Sequence, residues 1–270
     1  MASLLSDTAL REVVRELVVE VGGGPLPDAI TGRIGLRPVR SRSDGDFSCD
    51  AALLAAASVG LPAFAFAQHL AGWLATMPGL QEARAAGPGF VELSFCDAAI
   101  DGILPALLAA PPARAKVAPA PPLLPLEAMR HGDPDFMVQY AHARCCSVLR
   151  AAAGMPGLDG QDPILLAAAT KGRFVSGPAR GLLCRLEHWT RLSAMPAASC
   201  DSRRILLFLR DLADQFEQVW KASCDHATLR LLYPEQPSRS LAGLALARVT
   251  AGVIRSGLER LGIGAVEEMG

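Results

Sequence analysis

The sequence predicts an α-rich chain of two domains, a small α+β domain followed by an all-α helical bundle. One stretch, PALLAAPPARAKVAPAPPLLPLE (105–127), carries seven prolines and follows neither a helical nor a strand period, so it divides the chain. Before it, the strand-like pieces GRIGLRPVRS (32–41) and FVELSF (90–95) alternate with helical segments. After it, long Leu/Ala/Arg segments of helical period dominate. The domains expected are therefore 1–104 and 128–270, with 105–127 as the linker.

In order along the chain, Leu10, Val13, Val14, Leu17, Val18 and Val21 recur at 3–4 spacing, which predicts an amphipathic first helix. Asp7, Arg11, Glu12 and Arg15 interrupt its apolar content, so it does not read as a signal peptide, and the expected location is the cytoplasm. Residues 51–81 carry no Asp, Glu, Lys or Arg and raise the question of a membrane span. Gly60 and Pro62 break the run, which predicts two short buried helices, 48–59 and 63–77, and no membrane partner. The turn GPG (87–89) leads into the strand 90–95. Beyond the prolines, helical segments are expected at 135–153, 162–170, 178–193, 203–223 and 238–261, with Asp133 capping the first and Pro134 at its first position. GLDGQDP (157–163) reads as a turn, without the ligand spacing of a calcium loop.

Charge is unevenly divided. Residues 1–110 hold seven basic against twelve acidic side chains, and residues 127–270 seventeen against fifteen, so only the C-terminal part favours an anion, and weakly. Just three basic residues are lysine: Lys116, Lys171 and Lys221. The seven cysteines include no C-x-x-C pair, which excludes a zinc ribbon and a secreted disulfide framework. The five histidines are eleven or more residues apart, and no phosphate-cradling glycine run is present. Neither a catalytic residue nor a cofactor is expected. His142 with Cys145, three apart on a helix, fits packing better than a thiol–base pair.

The helix beginning near 135 carries a core stripe of Val138, Ala141, Cys145, Val148, Leu149 and Ala152. Beside it runs a second stripe, Met137, Tyr140, Arg144 and Ser147, with the arginine one turn from the tyrosine. A planar ring next to a guanidinium suits a splayed RNA base and its phosphate. The same spacing also fits a half-buried tyrosine beside a snorkelling arginine.

VQYAHARCCSVLRAA (138–152) resembles the opening of the DALR anticodon-binding domain of arginyl-tRNA synthetases. SRSLAGLALARVTAGVIRSGLERLGIGAVEEM (238–269) is similar to that domain's closing helix and tail, and RRILLFLRDLADQFEQVWKA (203–222) to the helix between them. DGDFSCDAALLAAA (44–57) and AAGPGFVELSF (85–95) resemble the same enzyme's N-terminal additional domain. A full synthetase places its nucleotide-binding catalytic domain between these two pieces, where this chain has a mostly proline-rich segment. The paired histidines and lysine-bearing loop that such a ligase uses on ATP phosphates are missing as well.

The resemblance implies a helical bundle of DALR type that binds the anticodon arm of a tRNA, with arginine-accepting tRNA the candidate, and that does not aminoacylate. It places Tyr140 and Arg144 as stacking and phosphate contacts, Gln139 and His142 nearby, and Met269 as a terminal apolar contact. Met137 stands where an aromatic is common, and Asp50 where an asparagine is. Phe90 and Glu92 match the family's D-loop contacts, but a carboxylate at 92 cannot donate as an amide does and repels phosphate. The rival expectation is an adaptor without direct RNA binding, serving a tRNA-modifying enzyme or arginyl-tRNA synthetase itself.

Overall fold

The computed structural model describes residues 6–39, 45–111, 134–155, 158, 162–194, 202–226 and 230–269. Outside these lie the expected Asp133 cap, residues 112–127 of the proline-rich stretch and most of the turn 157–163. The chain divides into two compact units, 1–102 and 103–270.

In the first unit, helix α1 (Asp7–Glu20) begins at Ser6, whose hydroxyl accepts from the Ala9 amide. It buries Leu10, Val13, Val14, Leu17 and Val18, the expected stripe without Val21, which is half-buried at the C-cap. Arg11 donates to the carbonyls of Ile34 and Gly32, and the Asp7 carboxylate accepts from the Leu36 amide, so α1 fixes the start of the sheet. A short turn of helix, α2 (Asp28–Thr31), precedes it.

The sheet has four antiparallel strands, β1 (Leu36–Pro38), β2 (Phe47–Cys49), β3 (Leu80–Ala86) and β4 (Phe90–Phe95), in the order β1-β2-β4-β3. The alternation is longest in β4, with Val91, Leu93 and Phe95 buried and Phe90, Glu92 and Ser94 facing outward. Gly45 and Asp46 lock β2 onto β4. The Asp46 carboxylate accepts from the Phe95 amide at 2.8 Å, and Gly45 has φ of 95° with the Leu93 carbonyl where a side chain would start. Phe47 meets Phe95 edge-on, with ring centroids 5.7 Å apart.

Helices α3 (Ala51–Val59) and α4 (Ala63–Leu74) cover one face of the sheet and bend by 114° at Gly60–Pro62, a shape that buries one side of the uncharged run and leaves Leu53 and Phe64 exposed. The expected two short helices are therefore present. A last turn, α5 (Asp97–Asp101), closes the unit.

The second unit contains α6 (Ile103–Ala109), α7 (Pro134–Ala153), α8 (Pro163–Ala169), α9 (Gly177–Ala194), α10 (Ser202–Asp225) and α11 (Pro237–Arg260). The first residues of the stretch read as linker are thus helical, since Pro105 falls in the first turn of α6, where its missing amide costs nothing. Helix α6 packs on α8, α9 and α11. Helix α11 is the hub, touching α6 through α10, and is apolar almost all round. It alone among the described helices is long and apolar enough to cross a membrane, but 78% of that window is buried inside the protein. At Gly243 a Cβ would collide with the Leu231 carbonyl, so only glycine lets the chain returning from α10 lie flat on α11. Helix α10 is amphipathic and presents Ile205, Phe208, Leu209, Leu212, Phe216 and Val219 to the core.

Candidate nucleic-acid interface

Helix α7 lies between α10 and α11 and has three working faces. The first is the predicted core stripe, in which Val138, Ala141, Cys145, Val148 and Ala152 are buried and Leu149 is half-buried.

The second face holds Tyr140 and Arg144, both half-buried and within reach of solvent. The Arg144 guanidinium lies 4.2 Å from the centroid of the Tyr140 ring and 4.8 Å from that of Trp220 on α10, and it donates to the Tyr140 hydroxyl at 3.0 Å. Phe136 also stacks on the tyrosine, with centroids 5.5 Å apart and planes at 25°. Glu217, one turn before Trp220, takes an ion pair from Arg144, and Lys221 lies 3.8 Å from the same carboxylate. The face is a short ladder of planar groups, Phe136, Tyr140, Arg144 and Trp220, held by one carboxylate. Met137 is half-buried at its edge and Ser147 exposed. Trp220 and Glu217 were not singled out in the sequence. The signal available was the spacing Phe216, Glu217, Trp220, Lys221 at the end of an amphipathic helix, where an aromatic one turn from a buried phenylalanine faces sideways.

The third face carries Gln139 and His142. Gln139 is 1% exposed and His142 is fully buried, because the C-terminal tail, residues 262–269, docks on them. Gln139 uses both ends of its amide, donating to the Gly264 carbonyl and accepting from the Val266 amide, each at 2.9 Å. His142 Nδ1 lies 2.7 Å from the Val266 carbonyl, which can only accept, so that nitrogen carries the proton. Arg150 donates to the Glu267 carbonyl and pairs with Glu268 at 3.1 Å, while Arg255 pairs with Glu267 at 2.7 Å. Gln139 and His142 thus fasten the tail. The tail runs along α7 in the Gln139-to-Arg150 direction, and half-buried Met269 follows the glutamate that Arg150 holds.

Burial pushes the His142 pKa below its ordinary value, opposed by the bond to Val266. Burial also raises the thiol of Cys145 well above the usual range and that of Cys146 above its ordinary value. The sulfur near His142 is that of Cys146, 3.7 Å from Nδ1, which is already committed to Val266. A protonated thiol beside an engaged imidazole has no nucleophile to offer.

In the first unit, Phe90 and Glu92 project from the same face of β4. Glu92 sits opposite Arg84 on β3 and pairs with it, which consumes the charge of a residue on the exposed edge strand. Asp50 pairs with Arg37 at 3.3 Å, and its Oδ1 is buried without a hydrogen-bond partner.

Comparison with known proteins agrees with this anatomy. The family model described as the DALR anticodon binding domain matches residues 138–269, and that of the arginyl tRNA synthetase N terminal domain matches residues 7–95. The arginine–tRNA ligase of Rhodospirillum rubrum is 40% identical over 138 residues, covering 51% of this chain and 23% of the relative. That of Gluconobacter oxydans is 39% identical over 142 residues, 53% and 24% respectively, and that of Ruegeria pomeroyi 39% over 137 residues. The chain spans about a quarter of the length of these curated relatives. Residues 96–137 alone separate the two matched stretches. The N-terminal unit and the helical unit are thus similar, in this order, to two domains of arginyl-tRNA synthetases, and the chain is related to that family.

Proposed function

We propose that this chain is a non-catalytic tRNA-binding protein that holds an anticodon arm on the second unit, with arginine-accepting tRNA the candidate and the cytoplasm its place of work. One observation carries the reading: the half-open ladder of Tyr140, Arg144 and Trp220, flanked on α7 by a tail fastened through Gln139 and His142. Aromatic faces stack bases of any sequence and a guanidinium adds a phosphate contact. In this reading Tyr140, Arg144, Met137 and Met269 touch RNA, Trp220 joins them, and Gln139 and His142 act by positioning the tail. Phe90 keeps an apolar contact, while Glu92, paired with Arg84, does not serve a D-loop phosphate. The short connection between the matched stretches and the absence of paired histidines leave the chain without groups to activate an amino acid.

Anisotropy titration with total tRNA and with an arginine acceptor tests the reading. The expected result is binding tighter than the non-specific range of about 10⁻⁴ to 10⁻⁶ M. Affinity no better than that range, or ATP-dependent charging by the purified chain, overturns it.

The second reading, an adaptor for a tRNA-modifying enzyme or for arginyl-tRNA synthetase, is favoured by Glu217 already holding Arg144 and by the nearly balanced charge of residues 127–270. A partner retained after nuclease treatment would support it, since an RNA bridge would be cut.

A further inference from the structure

A cavity of about 230 Å³ lies around the corner of α10 from the Trp220 face, between the loop entering α9, the last turns of α10 and the chain returning to α11. Its lining is more apolar than polar, with Phe174, Pro178, Val219 and Leu231, and two arginines, Arg173 and Arg230, stand among the lining residues. Both arginines are exposed, and neither has an ion-pair partner among the described residues. This sets them apart from Arg144, Arg150, Arg185, Arg191, Arg210 and Arg255, each of which has a carboxylate. Lys171 is exposed two residues before Arg173.

The Arg230 side is fixed in place. Leu231 is 5% exposed, and its backbone is seated on Gly243 so closely that no side chain fits between. A mainly apolar slot with a phenyl ring and two arginines that have no ion-pair partner among the described residues fits a flat, apolar body that carries an anion. A nucleotide has that form, its base in the slot and its phosphate on the arginines.

Val219 and Ala222 in the wall flank Trp220 and Lys221 in sequence, so the slot and the ladder are neighbours around one helix, within about its 10–12 Å diameter. We infer that this cavity is a second RNA subsite, which takes one unstacked nucleotide of the same strand that the Tyr140 face stacks. The inference rests on the tRNA-binding reading and goes beyond it by assigning Arg173, Arg230 and Phe174.

The test uses the full chain and two variants, the double Arg173→Gln/Arg230→Gln and the single Tyr140→Ala, titrated with tRNA at several salt concentrations. Removing both guanidinium groups lowers affinity about 10- to 100-fold. It also flattens the slope of log K against log salt by about 0.7 for the phosphate released. Tyr140→Ala lowers affinity and leaves the slope unchanged. Both arginines are on the surface, so the thermal midpoint of the double variant stays at that of the parent. If the parent binds tRNA and the double variant matches it in affinity and slope, the subsite is overturned and the tRNA reading survives. If the parent binds no tRNA, adenosine monophosphate is titrated and amide shifts are followed by NMR. Shifts at Gly172, Phe174 and Leu231 then uphold a nucleotide site while the tRNA reading falls. No shift overturns both.

Discussion

At the residue scale, Arg144 shows how one side chain is shared between fold and function. Its guanidinium is stacked on two rings and paired with Glu217, so in the free protein it is held rather than mobile. RNA phosphate must displace or share that carboxylate. Glu217→Gln is accordingly expected to raise tRNA affinity or leave it equal, and to steepen the salt slope by about 0.7, one phosphate contact. A loss of affinity would mean that Glu217 orients the arginine for RNA. Tyr140→Ala removes the stacking ring and should cost about 1–3 kcal/mol of binding, whereas Tyr140→Phe, which loses only the hydroxyl that Arg144 meets at 3.0 Å, should cost less than half of that. Anisotropy titration of both variants checks the pair. Tyr140 and Arg144 were legible in the sequence because they sit one turn apart on a helix. Glu217 and Trp220 were not, since their relation to Arg144 spans more than seventy positions and two helices.

At the element scale, the docked tail explains why α7 is polar where it is most buried. Gln139, His142 and Cys146 fall at 3–4 spacing, and the sequence placed Gln139 and His142 only near the Tyr140/Arg144 face. The partners of Gln139 and His142 are the backbone of residues 264 and 266, over 120 positions away, while Cys146 lies against the His142 ring. Gln139→Ala leaves a half-buried amide and a half-buried carbonyl of the tail without their partner and should destabilise its docking by about 1 kcal/mol, seen as faster hydrogen exchange at Val266. His142 adds a pH dependence. Its pKa in the fold lies below the ordinary 6.5, so the unfolded chain binds the proton first. Its stability contribution is complete above about pH 6.5 and is lost as the pH falls toward the lower folded value. Thermal midpoints from pH 7.5 to 5 should therefore fall, and His142→Gln should flatten that decline.

The strands follow the same logic. FVELSF declared itself by alternation. LQEARAA, as an edge strand with an exposed face, has the alanine and charge content of a helix, and three-residue FSC is too short for any period. Both became strands because β4 offers backbone hydrogen bonds on its two sides.

At the scale of the whole molecule, each unit closes on its own core, and α11 is the element the second depends on. Gly243→Ala pushes a side chain into the Leu231 carbonyl and should cost about 3 kcal/mol, read by denaturant unfolding of the intact chain. The variant also shifts the wall of the Arg173/Arg230 cavity, so it is a stability probe and not a binding one. The unit boundary falls at Gly102, earlier than the prolines suggest, because Ile103, Leu104, Leu107 and Leu108 are buried in the helical unit. Composition marked where regular sequence ends. It could not mark which core the preceding helix joins.

By itself, the sequence determined the two-part α-rich build, the helical periods, the break at Gly60 and Pro62 and the tyrosine–arginine pair, since each depends on neighbours within a turn or two. The tertiary structure alone decided that Gln139 and His142 hold the tail, that Glu217 and Trp220 complete the Arg144 face, and that Arg173 meets Arg230 across a cavity. Those contacts join residues tens to over a hundred positions apart, and a local pattern carries no record of which distant backbone or ring will come to lie against it.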